Sequence, residues 1–299
     1  MDAAWQQAVT LRRIPRLTLP PPCERKRPDL SRKPQMIRSA LMTVMTAAAI
    51  KAGRGLKRDL GEVENLQVSM KGPGDFVSAA DRKAEQTLFE ELSHARPGYG
   101  FVMEERGRIE GADKTHCWHV DPLDGTTNFL HGIPIFSISV ALEREGQIVA
   151  GLVYNPANDE IYVAERGQGA WLNNRRLRVA ARRDFSDALI GCGVPHLGKA
   201  KDHPRFKAEL AQVMARVTNV RRLGSAALDL AFVAAGRYDA FWERGLNSWD
   251  IAAGAILIRE AGGYVSDADG GDAFLAKGSV CAGNEQMHKQ LLASLKAAA

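Results

Sequence analysis

The segment Asp121-Pro122-Leu123-Asp124-Gly125-Thr126-Thr127-Asn128 crowds two carboxylates into one turn beside a candidate helix N-terminus, and few folds tolerate that. His116 to Val120 just before it reads as a short buried strand, which Pro122 stops. Asp124 falls where a helix N-cap would fall, followed by small and hydroxyl residues. A helix N-terminus offers unpaired N–H groups and the positive end of a dipole, so it attracts phosphate. Two aspartates at that place would repel each other, and would repel a phosphate, unless a hard cation lay between them. Mg²⁺ suits the position, because it takes oxygen ligands, keeps some waters and binds through a few carboxylates plus substrate phosphate. Taken alone, the block leaves two readings open: a metal-assisted phosphate site, or a helix capped by Asp124 after a turn begun by Asp121.

Two further segments bear on that choice. Asn247 to Gly263 reads as one helix, with Ser248 as its N-cap and Gly262-Gly263 as its stop. From Trp249 to Ile258 every side is apolar or small except at Asp250, the pattern of a buried helix. A lone buried carboxylate is costly unless it is paired or binds a metal. The alternative for Asp250 is a surface residue favoured by the helix dipole. In Phe101-Val102-Met103-Glu104-Glu105-Arg106-Gly107, an apolar strand end delivers two glutamates into a loop. Successive strand residues face opposite sides, so one Glu could enter a site while the other meets solvent.

Together the three segments resemble the inositol monophosphatase family. Its signatures are a Gly-Glu-Glu strand end, a Trp-x-x-Asp-Pro-[Ile/Leu]-Asp-Gly-Thr-x-Asn-Phe block, and a Trp-Asp-x-Ala-Ala-Gly helix ending in Glu-Ala-Gly-Gly. They stand here as Met103-Glu104-Glu105, Trp118 to Phe129 and Trp249 to Gly263, in that order, and the likeness runs from about Met36 to the C-terminus. Met103 replaces the family's glycine, with the expectation of an altered backbone approach beside the metals. The resemblance implies roughly two or three Mg²⁺ ions per active site. Glu104, Asp121 and the Leu123 carbonyl would hold the first; Asp121, Asp124 and Asp250 the second; Glu104 and waters a third. The N–H groups of Gly125 and Thr126 would hold phosphate. Asp81 would pair with the Thr126 hydroxyl to orient and deprotonate the attacking water, so Glu104, Asp81 and Thr126 are the expected catalytic residues. Substrate binding falls to Asp124, Gly125, Thr126, Gly224, Ser225, Ala226, Glu243 and Asp250, with Lys71 near the mouth.

Such metals activate water, clamp phosphoryl oxygens and stabilise a departing alkoxide. Phosphoryl transfer then needs positioning and charge neutralisation rather than a nucleophilic side chain. None is evident: Cys192 and Ser225 have no adjacent His. The expectation is direct attack by water in a Li⁺-sensitive phosphomonoesterase acting on inositol-1-phosphate-like substrates. Other enzymes with this metal core act on fructose-1,6-bisphosphate, phosphoadenosine phosphate or histidinol phosphate. From a different class, similar bacterial proteins associate with the transcription or ribosomal-RNA maturation machinery, so a regulatory role is also carried forward. The family usually forms homodimers.

Bulk properties agree with a soluble enzyme of one large domain or two. The chain has 299 residues, 45% hydrophobic, enough for a sizeable core, and its +5 formal charge is interspersed rather than massed against a polyanion. Cys23, Cys117, Cys192 and Cys281 lie far apart with no zinc spacing, which reads as free thiols in a cytoplasmic setting. His116 and His119 alternate in the strand before the metal block and read as packing residues, since Mg²⁺ does not favour imidazole. No apolar run is long enough to span a membrane. Residues 1–35 are basic and Pro-rich without a signal-peptide core, and read as an upstream extension; an arm for nucleic acid or an acidic partner is the alternative.

From residue 36 onward helices are expected at 37–58, 80–94, 206–216, 225–235, 248–261 and from 285. Strands are expected at 63–70, 116–120, 161–164, 218–221, 238–242 and 280–282, with a hairpin of 136–144 and 147–154 turning at Glu145-Gly146. This α/β alternation fits the layered αβαβα sandwich of sugar phosphatases that the resemblance implies.

Overall fold

The computed structural model describes residues 39–60, 62, 68–72 and 75–298. The extension at 1–35, the expected strand start at 63–67 and the Lys71 side chain lie outside the described part. In chain order the elements are α1 (Ala40–Leu60), β1 (Val68–Gly72), β2 (Asp75–Ser78), α2 (Ala79–Ala95), β3 (Gly100–Met103), β4 (Gly107–Ile109), β5 (His116–Asp124) and α3 (Thr126–Leu130). Then come β6 (Ser137–Arg144), β7 (Gln147–Asn155), β8 (Glu160–Glu165), β9 (Gly169–Leu172), β10 (Arg175–Arg176), β11 (Leu189–Cys192), α4 (His203–Met214) and β12 (Asn219–Arg221). The chain closes with α5 (Ala226–Ala234), β13 (Ala240–Arg244), α6 (Ser248–Glu260), β14 (Tyr264–Ser266), α7 (Phe274–Lys277), β15 (Ser279–Gly283) and α8 (Glu285–Ala297).

An eight-stranded sheet has the order β10-β9-β8-β7-β6-β5-β3-β4, a five-stranded sheet the order β12-β11-β13-β15-β14, and β1-β2 forms a separate hairpin. α1 and α2 cover one face of the large sheet, sealing Met45, Leu56, Leu88 and Leu92 against Trp118, Val140 and Leu152. α5 and α6 fill the space between the sheets, through Leu228, Leu230, Ile251 and Leu257. α4 and α8 close the far side, where Val213, Met287 and Leu291 pack on Ile190, Trp242 and Cys281. The result is the expected αβαβα order of layers. Among the described residues no helix is long and apolar enough to cross a membrane.

Local chemistry explains the elements nearest the site. Ser78 caps α2 in a capping box with Asp81, each satisfying a backbone N–H of the other's segment. β6 and β7 join through Glu145 (φ 51°) and Gly146 (φ 77°), the pair of left-handed residues that a two-residue hairpin turn demands. β5 is buried almost throughout because helices cover both faces of its sheet.

Three expectations need correcting. Pro122 does not end β5, which runs on to Asp124 with a register slip between Asp121 and Asp124. β3 pairs with β5 only as far as Val120, so Pro122 lies beyond that ladder and its missing N–H falls in the bulge on the β6 side. Asp124 is therefore a strand residue, and Gly125 caps α3 in a left-handed conformation. Asn247 rather than Ser248 caps α6, because Asp250 sits three residues on and completes a capping box with it. The short strands β2, β4, β9, β11 and β14 escaped sequence reading, since runs of three or four residues carry no period.

Gly254 lies where α6 crosses α5. Alanine in a helix interior is ordinarily favoured over glycine by about 1 kcal/mol. Here an added Cβ would stand 2.4 Å from the Cβ of Leu230. Gly254→Ala should therefore destabilise the fold by about 1–3 kcal/mol in urea unfolding; a raised midpoint would contradict this packing.

Candidate active site

The bulge in β5 turns two carboxylates toward one pocket. Asp121 is buried, and its Oδ1 accepts from the Leu123 N–H at 2.9 Å, which sets the turn. The end of β3 supplies Glu104, and the first turn of α6 supplies Asp250. Glu104 and Asp250 both act directly on the Asp121 carboxyl, so the three share one field. Burial raises the Asp121 pKa well above the carboxylate range, and Glu104, Asp124 and Asp250 raise it further. Asp250 is raised by burial and then by Asp124. Asp124 is also raised by burial, against the opposing bonds from Ser225 and the start of α5.

Among the described residues no three His, Cys, Asp or Glu side chains converge on one ligand point. The donor set nevertheless fits a hard divalent cation. It is all oxygen, it comes from separate rigid elements, and after burial the largest influences on Asp121 are other carboxyl groups. The Leu123 carbonyl, expected as a further ligand, accepts from Thr126 Oγ1 at 3.0 Å and lines the same pocket.

Asp124 is held from the opposite side. Its Oδ2 accepts from Ser225 Oγ at 2.6 Å and from the Ala227 N–H at 2.8 Å, so the N-terminus of α5 grips a strand carboxylate. Ser225 is the N-cap of α5, as expected, but its hydroxyl makes no cap bond and serves Asp124 instead. Across the pocket, Thr126 Oγ1 lies 3.1 Å from Asp81 Oδ1, while Asp81 Oδ2 accepts from the N–H of Ser78 at 2.8 Å and from its hydroxyl at 2.5 Å. Asp81 is buried, and burial raises its pKa.

The pocket holds about 260 Å³, and Glu104, Asp121, Thr126, Gly224, Ala226 and Glu243 are among the residues that line it. Glu243 is pushed up to about 8 by burial and then by Asp124 and Asp250, against Arg222 and Lys199. Gly193 makes room for it: a Cβ there would fall 1.7 Å from the Glu243 carboxyl carbon. Four contributors went unassigned in the sequence. Gly193 and Arg222 line the pocket. Buried Glu85 accepts from the Glu105 N–H at 2.8 Å and steadies the Glu104 loop. Asn128 donates to the carbonyls of Ile135 and Leu223, tying α3 to the Gly224 turn. Asn128, inside the Asp121 block, and Arg222, in the segment leading to Gly224 and Ser225, carried a sequence signal.

Residues 38–298 match the model of the inositol monophosphatase family. The chain belongs to the inositol monophosphatase family. It is 67% identical to the inositol-1-monophosphatase of Mesorhizobium japonicum, over 87% of this chain and 98% of that one. It is 42% identical to the Nus factor SuhB of Pseudomonas aeruginosa, over 86% of this chain and 96% of that one. The crystal structure of the extragenic suppressor protein suhB from Bartonella henselae superposes with a TM-score of 0.84 at 58% identity, covering 86% of this chain and 99% of that one.

Against the inositol monophosphatase pattern, Met103 is the visible departure. Its side chain is fully buried in the core between α1, α2 and the large sheet, with Phe101 and Val120. Strand alternation thus turns Met103 away from the side to which Glu104 points. His119 and His116 are not among the pocket residues, in keeping with their reading as packing groups. Cys117, Cys192 and Cys281 are free thiols, and burial raises Cys117 and Cys192 to about 11 and about 12.

The turn between β5 and α3 depends on Gly125. Its φ is +92°, and a Cβ would lie 3.0 Å from the Ile135 carbonyl oxygen and 3.2 Å from that of Gly224. Gly125→Ala should cost about 1–3 kcal/mol of stability from backbone strain alone. Unchanged unfolding in denaturant would show that the turn relaxes freely.

Proposed function

We propose that this chain is a Mg²⁺-dependent, Li⁺-sensitive phosphomonoesterase that hydrolyses inositol-1-phosphate-like esters to the polyol and phosphate. The observation that carries it is the meeting of Glu104, Asp121, Asp124 and Asp250 in one pocket with the Gly125–Thr126 turn and Glu243. A phosphate ester with ring hydroxyls matches that set of groups. Family membership and the relatives named inositol-1-monophosphatase support the same reading.

Glu104, Asp121, Asp124, Asp250 and the Leu123 carbonyl are the residues that would hold the metal. Bound there, Mg²⁺ would neutralise the carboxylates, activate water and stabilise charge on the phosphoryl oxygens and the departing alkoxide. The N–H groups of Gly125 and Thr126 fix the phosphate. Asp81, buried and bonded to Thr126 Oγ1, holds that hydroxyl with its lone pairs toward the attacking water and takes up the proton. Water oxygen bonds to phosphorus, the ester P–O bond breaks, and the alkoxide leaves and is protonated. Glu243 accepts hydrogen bonds from ring hydroxyls, with Gly224 and Ala226 in the wall beside it and Ser225 behind them holding Asp124. The homodimer and the cytoplasmic setting expected from the sequence belong to this proposal.

A second reading rests on the Nus factor SuhB relatives. In it the chain also associates with the transcription or ribosomal-RNA maturation machinery, independently of phosphate release. Asp121→Asn in the native host separates the two: full complementation of a deletion phenotype favours the second role, and none favours catalysis.

Phosphate release with Mg²⁺ should be fastest on inositol-1-phosphate and suppressed by Li⁺. Preference for fructose-1,6-bisphosphate or phosphoadenosine phosphate would discard the Glu243 assignment and keep the metal core. Gly193→Ala should displace the Glu243 carboxyl and raise KM for inositol-1-phosphate about tenfold, the worth of one lost hydrogen bond to a charged group. The KM for phenyl phosphate, which has no ring hydroxyls, should stay within about twofold. Equal effects on both esters would contradict the role given to Glu243.

A further inference from the structure

His119 lies outside the pocket, yet it joins two of the elements that carry its carboxylates. It stands on β5 two residues before Asp121, so alternation puts both on the same face. Its ring is almost fully buried and bridges two partners: Nδ1 lies 2.9 Å from Ser248 Oγ, and Nε2 lies 2.9 Å from Glu143 Oε2 on β6. Ser248 is the first residue of α6, two before Asp250.

The directions of these bonds follow from the donor inventory. An ionised Glu143 can only accept, so Nε2 carries a proton; in the neutral ring Nδ1 is then the acceptor, and the Ser248 hydroxyl donates to it. Glu143 is held below the usual carboxylate range, first by this bond. A second tie runs parallel: Ser139, the β6 partner of Asp121 in register, donates from Oγ to the Trp249 carbonyl at 2.8 Å. The first turn of α6 is thus pinned to β5 and β6 at Ser248 and at Trp249, directly before Asp250.

We infer that His119 is a positioning residue that sets the separation of the Asp121 and Asp250 carboxylates, and thereby the affinity of the site for a divalent cation. The inference rests on the cation reading of the pocket proposed above. Carboxylates on separate elements bind a small cation only if those elements are held in register. Groups that orient ligands in this way typically change metal affinity by ten- to a hundredfold when removed. Glu143 fixes the ring, the ring fixes Ser248, and Ser248 fixes the start of α6. Glu243 and the Gly125–Thr126 turn, to which the proposed function gives the ring and the phosphate, make no bond to this chain of groups, so the effect should fall on the metal.

The test is calorimetric titration of Mg²⁺ into full-length wild type, His119→Ala, His119→Asn and Ser248→Ala, with KM for substrate measured at saturating Mg²⁺. His119→Ala and Ser248→Ala should each weaken Mg²⁺ binding about tenfold or more. Their combination should add little to either alone. His119→Asn, whose side-chain oxygen can replace Nδ1 as acceptor for Ser248, should recover most of the affinity. KM at saturating Mg²⁺ should stay within about twofold. Should His119→Ala fail to fold, Ser248→Ala, which loses a single oxygen, decides the matter. Wild type that binds no Mg²⁺ would overturn the cation reading itself. Wild type that binds, with Ser248→Ala unchanged, would overturn the positioning role alone.

Discussion

The repulsion among the carboxylates around Asp121 is the constraint to which the rest of the structure answers. Unit charges about 4 Å apart at an effective dielectric near 20 interact by roughly 4 kcal/mol, and five acids, Glu243 included, share this pocket. After burial, Glu104, Asp124 and Asp250 are the groups that act most on Asp121. The protein holds the acids in place by spreading them over β3, β5 and α6, each locked into a layer of the sandwich, and by giving Asp124 two donors from the N-terminus of α5. A cation of matching hardness turns that opposition into attraction, which makes the fold and the chemistry one problem.

Layering supplies the rigidity. α6 is apolar along nearly its whole length because it is covered by the large sheet on one side and meets α5 and the smaller sheet on others. Its only acid in the first turn is therefore the one the pocket uses. β5 is likewise enclosed, and its bulge converts a single strand into a mount for two carboxylates beside the Gly125 turn. Asp81 shows the same economy: it closes the capping box of α2 and meets Thr126 with its other oxygen.

The long, strongly patterned elements were legible from residues alone, and so was the pocket's acidic character. The β6–β7 hairpin announced itself through Glu145-Gly146, and α6 through its apolar run. The resemblance supplied the layer order and the identity of Glu104, Asp81 and Glu243 as site residues, which spacing could not. Caps were missed by one residue at Asn247 and Gly125, because the deciding bonds depend on tertiary placement of Asp250 and Asp124. Gly193 could not be found in sequence at all. Its meaning lies in a close approach to Glu243 from a strand paired in parallel, and no local pattern encodes that. His119 was read as a packing residue, which it is, but its partners Ser248 and Glu143 lie 129 and 24 residues away.

The most direct test of the central claim is anomalous diffraction from crystals grown with Mn²⁺, a scattering substitute for Mg²⁺ with the same oxygen preference. Peaks beside Asp121, within ligand distance of Glu104 on one side and of Asp124 and Asp250 on the other, are the predicted result. A pocket with no peak at saturating Mn²⁺, or peaks only at surface carboxylates away from Asp121, would contradict it.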